Sequence, residues 1–168
     1  SKFTANNTLS WGTYVGGPSS DVFNDLEVFD DGRVAFAGYA NGTYAGYEVN
    51  SAAGQSTNTN NEDGVIGVLN AAGTVFNYLD KIGANGNGLN DHINDVKIVG
   101  ETLYFTGSGR AGFPISSGVY NTSNAGGLDA VVGKVASTGG AASYAATFYG
   151  SGSDDIGSGL KLVTQTKC

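Results

Sequence analysis

Trp11-Gly12-Thr13-Tyr14-Val15-Gly16 returns in altered form as Tyr78-Leu79-Asp80-Lys81-Ile82-Gly83, and again as Ala145-Ala146-Thr147-Phe148-Tyr149-Gly150. The glycines that close these segments stand 67 positions apart each time. Each segment precedes a short related stretch: Asn24-Asp25-Leu26-Glu27-Val28, then Asn94-Asp95-Val96-Lys97-Ile98, then Gly159-Leu160-Lys161-Leu162. The interior of the unit repeats as well. Val34-Ala35-Phe36-Ala37-Gly38 matches Leu103-Tyr104-Phe105-Thr106-Gly107, Asp63 to Leu69 matches Asp129 to Val135, and Gly73 matches Gly139. Ordered self-similarity at a fixed period is the mark of a repeat architecture.

Each unit reads as four strands. Strand a alternates apolar and acidic residues at Asp25 to Val28, the period of a half-buried strand. Asp30-Asp31-Gly32 is a hairpin turn signal. Strand b spans Arg33 to Tyr39, and a polar loop runs through Ser56-Thr57-Asn58-Thr59-Asn60-Asn61. Strand c spans Gly64 to Leu69, Asn70-Ala71-Ala72-Gly73 turns the chain, and strand d spans Val75 to Ile82. Composition agrees: 28 Gly against 2 Pro suits many tight turns, and 9 Tyr with 8 Phe favours strands over helices. Four short antiparallel strands per unit predict an all-β chain of β-propeller-type blades. The expected division is an N-terminal arm over 1–23 with a leftover d-type strand, blade 1 over 24–83, blade 2 over 84–150, and a leftover a-type strand of an incomplete next blade over 151–168.

One stretch adds a resemblance. Gly112-Phe113-Pro114-Ile115-Ser116-Ser117-Gly118-Val119-Tyr120, followed by Gly126-Gly127-Leu128-Asp129-Ala130-Val131-Val132-Gly133-Lys134-Val135, resembles the bacterial SBBP repeat family, named for seven-bladed β-propellers. The run Trp11 to Gly17 is similar to that family's Ser-Thr-Tyr-Leu-Gly-Gly element. The first unit departs from the pattern, with Tyr44-Ala45-Gly46-Tyr47 where Phe-Pro is expected. The resemblance implies a secreted or surface-anchored bacterial protein, often large and multi-module, and supplies no catalytic residues.

A net charge of −7 argues against nucleic acid and anionic membrane surfaces as partners, and no stretch is apolar enough to insert in a membrane. His92, the only histidine, reads as a solvated loop residue rather than part of a hydrolytic triad. Cys168, the only cysteine, has no internal disulfide partner. The absence of Met implies a processed or excised chain or one relieved of a leader. Asp30, Asp31, Asp154 and Asp155 are candidate calcium ligands, because calcium accepts many oxygens in loop geometry, although Asp is also a good turn former. No other cofactor is expected. Asp25 and Asp95 recur at matched positions, which points to a structural role in strand a. Tyr44, Tyr47, Phe113 and Tyr120 are candidates for stacking on sugar rings, with packing as the alternative. Asn6, Asn41 and Asn121 head glycosylation triplets.

Two blades do not close a ring, which needs about 4 to 8. Three resolutions stand open: a fragment of a longer propeller, a closed ring of copies, or a head-to-tail filament joined through the end strands at Thr8, Trp11, Tyr14, Leu160 and Leu162. The expected function is a non-catalytic extracellular or cell-surface structural or adhesive repeat protein whose partners are copies of itself or further blades. A glycan- or calcium-binding propeller module is the alternative, and a propeller glycoside hydrolase fragment the weaker one.

Overall fold

A computed structural model describes residues 1–42, 61–84, 88 and 90–163. Strands β1 (Lys2–Phe3) and β2 (Leu9–Trp11) form a small hairpin. Strands β3 (Asp21–Val28), β4 (Val34–Asn41), β5 (Glu62–Leu69) and β6 (Phe76–Ile82) form an antiparallel sheet in that order, here sheet 1. Strands β7 (His92–Val99), β8 (Thr102–Gly109), β9 (Asp129–Ala136) and β10 (Ala145–Tyr149) form sheet 2, again in sequence order. A short 3-10 turn spans Ala141–Ser143, and no α-helix occurs among the described residues. The chain is therefore all-β, with four-stranded antiparallel units where the repeat predicts them.

The two sheets share local irregularities as well as strand order. Strand β3 bulges between Phe23 and Asp25, and β7 bulges between Ile93 and Asp95. Opposite these bulges lie Gly38 and Gly107, where any side chain would overlap the carbonyls of Val22 and His92. In the middle of the sheets, Phe36 lies across Gly67 and Phe105 across Gly133. A Cβ at Gly67 would stand 2.5 Å from the Phe36 ring, so the repeated glycine is the space the repeated aromatic fills.

Each sheet has two faces. The front faces carry Phe36 and Phe105, and the back faces carry the alternate residues. The back face of sheet 1 (Ala35, Ala37, Ile66, Val68, Tyr78, Ile82) lies on the front face of sheet 2 (Ile93, Val96, Leu103, Phe105, Val131, Val135), forming the main core. A second cluster on the front of sheet 1 joins Phe36, Ala40, Val65, Leu69 and Leu79, with Val15 of the N-terminal arm packed on it. Arg33 clamps the sheet ends. It bonds Asp31 at 2.7 Å in its own turn and Glu101 at 2.7 Å across the interface, and lies 4.2 Å over the Phe29 ring.

The expected end strands differ from what forms. The d-type strand over Thr8 to Val15 is reduced to β2, paired only with β1, and residues 12–17 run outside any ladder. The a-type strand expected from Gly157 onward makes no ladder through residue 163, and its last residues lie outside the described part. The physical reason is shared: neither segment has a b or c strand beside it to exchange main-chain hydrogen bonds.

Replacing Gly133 by Ala is expected to cost about 1–3 kcal/mol, because the methyl enters space held by the fully buried Phe105 ring. Urea denaturation followed by circular dichroism measures it, and an unchanged midpoint contradicts the packing described.

Candidate interface built on strand a and the open sheet faces

The strongest polar constellation joins one strand a to the next. The Asn24 side-chain amide donates to the Ile93 carbonyl at 2.9 Å, and the Val96 N–H donates to Asp25 at 3.0 Å. One unit later, the Asn94 amide donates to the Gly157 carbonyl at 3.0 Å and the Leu160 N–H to Asp95 at 2.6 Å. The same atoms thus perform the same task twice. The segment around Gly157 to Leu160 sits against β7 as β7 sits against β3. The bulges are what allow this, since they turn Asn24 and Asn94 out of the ladder.

Lys97 neutralises this line of carboxylates, at 2.6 Å from Asp95, 2.9 Å from Asp25 and 3.0 Å from Glu27. Burial opposes ionisation of Asp25. Its hydrogen bonds with Asp95, the Val96 N–H and Lys97 outweigh that and hold the carboxyl well below its ordinary value of 3.8. Burial likewise disfavours the Lys97 charge, yet the bonds to Asp95, Asp25 and Glu27 hold the ammonium well above its ordinary range.

A second device recurs three times at the turn from strand d to strand a. The Gly17 N–H donates to Asp21 at 2.8 Å, the Ala84 N–H to Asp91 at 2.7 Å, and the Ser151 N–H to Asp155 at 2.7 Å. The glycine just before each donor, the residue of the 67-position repeat, is also crowded by a carboxylate: Gly16 by Asp21, Gly83 by Asp63 and Gly150 by Asp129. Both chain ends therefore keep the unit's turn geometry where its strands are missing.

These turns account for the four aspartates considered for calcium. Asp155 accepts from Ser151, and Asp154 accepts from the Leu128 N–H at 2.8 Å. Asp31 binds the backbone and guanidinium of Arg33, and Asp30 lies exposed in the same turn. Among the described residues, no group of three or more His, Cys, Asp or Glu side chains is arranged to hold a metal ion.

The residues proposed as an assembly joint have mixed fates. Trp11 is engaged inside its own chain. Its indole N–H donates to the Ala71 carbonyl at 3.0 Å, and its ring covers Gly73, leaving no room for a side chain there, at a φ of +69° that already favours glycine. Thr8 closes the β1–β2 hairpin through its carbonyl, which accepts from the Thr4 N–H. Tyr14 projects fully into solvent, Leu160 is held by the Asp95 clasp, and Leu162 is exposed.

Of the sugar-stacking candidates, Tyr44 and Tyr47 lie outside the described residues. Phe113 belongs to the core: it is 3% exposed and packs at 6.4 Å from Phe148, so no ring face is open to a ligand. Tyr120 is exposed and stacks on Tyr149, with ring centroids 5.6 Å apart. His92 is not a loop residue. It opens β7, bonds Glu62 at 2.8 Å and stacks on Tyr39 at 4.1 Å. Cys168 lies outside the described residues, as does Thr43 of the Asn41 triplet. Among the residues not anticipated, Arg33 and Lys97 act between sheets, and only the recurrence of Asn24-Asp25 as Asn94-Asp95 signalled the clasp.

Among the described residues, the outer faces of the two-sheet stack are only partly covered. Beneath the N-terminal arm, the front of sheet 1 lines an apolar groove of about 390 Å³, with Phe23, Leu26, Val28, Val34 and Phe36 among its walls. The back of sheet 2 forms a shallower hollow of about 210 Å³ around Tyr104, Val132, Lys134 and Thr147. No protein-family model and no curated protein matches the chain.

Two outcomes check this geometry. Gly73→Ala is expected to lift the arm, at about 1–3 kcal/mol for the crowded ring and strained φ, and the single tryptophan should report it as a red-shifted emission. Because the pKa of Asp25 is lower in the folded than in the unfolded state, its stabilising share is complete above the ordinary value of 3.8 and disappears as pH falls below it. The urea midpoint should therefore drop between about pH 5 and pH 3 more steeply in the wild type than in Asp25→Asn, and equal slopes would contradict the clasp.

Proposed function

We propose that the chain is a run of β-propeller-type blades of the SBBP kind, serving as a non-catalytic structural or adhesive scaffold on or outside the cell. The observation that carries this reading is the doubled clasp, Asn24-Asp25 onto β7 and Asn94-Asp95 onto the segment from Gly157 to Leu160. A run of equivalent sheets packed face to face and clasped at strand a is how blades succeed one another around an axis. The scaffold role rests on where polar groups are spent: the buried or clustered carboxylates described above serve turns, clasps and the ion pair between Lys81 and Asp63 at 2.7 Å. The terminal segments, each keeping the turn of a further unit, make continuation by other blades or other copies the natural extension.

A glycan-binding module is the second reading, favoured by the exposed Tyr120–Tyr149 pair, whose open ring faces suit an apolar sugar face.

Electron cryomicroscopy of the full-length native polypeptide, with protease shaving of intact cells, tests the first reading. The expected result is a ring of four-stranded sheets around a channel lined by strands equivalent to β3 and β7, on material cleaved from the cell surface. An open arrangement without a common axis, or a protein protected inside intact cells, overturns it. For the second reading, a glycan array should lose its signal on Tyr120→Ala.

A further inference from the structure

We propose that the front face of sheet 1 docks on the back face of sheet 2 of a second copy of this chain, head to tail; the inference rests on the scaffold reading above and names its partner. The repeat itself provides the comparison. In sheet 2, Ile93 and Val96 are 0% exposed because the back of sheet 1 covers them. Their counterparts in sheet 1 are Phe23 and Leu26, at the same positions relative to the bulge, and these are 40% and 58% exposed. Val28, on the same face, is 57% exposed. The other end mirrors this. Ala35 and Ile66 on the back of sheet 1 are fully buried, whereas their counterparts Tyr104 and Val132 on the back of sheet 2 are open.

The internal interface is thus a back face on a front face, and among the described residues one front and one back are left partly uncovered. A second copy brings these together by repeating the relation that already joins the two sheets. The arm covers only part of the front, through Val15 on the Phe36–Leu79 cluster, and the C-terminal segment covers the back near Thr106 and Gly107. The front groove is walled mainly by apolar side chains, the back hollow by Tyr104, Val119 and Val132 with Lys134 and Thr147 beside them, and Lys134 meets no cation on the opposing front wall beyond the rim residue Lys2. Because the two faces differ, the contact is heterologous and propagates to a ring or a filament.

Light scattering coupled to size exclusion, over a range of concentrations, reads the outcome on the whole chain. The wild type should exceed one-chain mass as concentration rises. Leu26→Glu, with a disabled front, and Val132→Glu, with a disabled back, should each remain at one-chain mass. Their equimolar mixture should form a two-chain species and no larger one, since each variant keeps one competent face. Recovery in the mixture also certifies that both variants fold. A wild type that stays at one-chain mass throughout, single variants that still assemble, or a mixture that remains monomeric each overturns the proposal. A monomeric wild type strikes the copy-to-copy contact alone, whereas the absence of a ring of sheets in the native polypeptide strikes the reading beneath it.

Discussion

Sheet 1 carries apolar side chains on both faces, Ala35, Ile66 and Val68 on the back and Phe36, Val65 and Leu79 on the front, and that constraint governs the rest of the structure. A sheet with one wet face can stand alone over one core, but a sheet with two dry faces needs a neighbour on each side. Sheet 1 satisfies one face with sheet 2, and the result is a continuous core from Ala35 and Ile66 through to Phe105 and Val131. The glycines at 67 and 133 follow from the same need, because a large aromatic on strand b can lie flat only where strand c has no side chain. At the stack's ends the constraint is met in part by extended segments, Val15 on one side and Gly157 on the other.

Polar interactions set where the sheets touch rather than how firmly they hold. The apolar faces could slide over one another with little change in buried area. Asn24 and Asp25 remove that freedom by fixing strand a of one sheet to particular atoms of the next. At the turn between strands a and b, Arg33 ties sheet 1 to Glu101 and Ser137. The Glu101 carboxyl is held below its ordinary range by the Arg33 guanidinium and the Ser137 hydroxyl, as expected of a charge that is well partnered. Two short polar seams, the clasp at strand a and the Arg33 pairings, define a register that hydrophobic contact alone leaves loose.

Much of this was legible in the residues. The alternation at Asp25 to Val28, the Asp31-Gly32 turn and the glycines 67 apart gave the strands and their order, because hydrophobic period and turn chemistry are local properties. Less visible was the fate of isolated residues. Phe113 was open to either sugar stacking or packing, and its burial against Phe148 places it in the core. His92 read as solvated and is stacked on Tyr39 from the other sheet, a contact 53 positions away in sequence. Trp11 read as a joint and is already spent on Ala71 and Gly73.

The sequence alone thus determined the unit: four strands, their order and their turns, all consequences of interactions between near neighbours along the chain. What only the tertiary structure decided is which faces find a cover and which aspartates clasp a neighbouring unit, because burial and side-chain partnership depend on sheets meeting across tens of residues. The same repeated residue is buried at Val96 and bare at Leu26 for that reason: the amino acids are alike, and only the presence of a sheet in front of them differs.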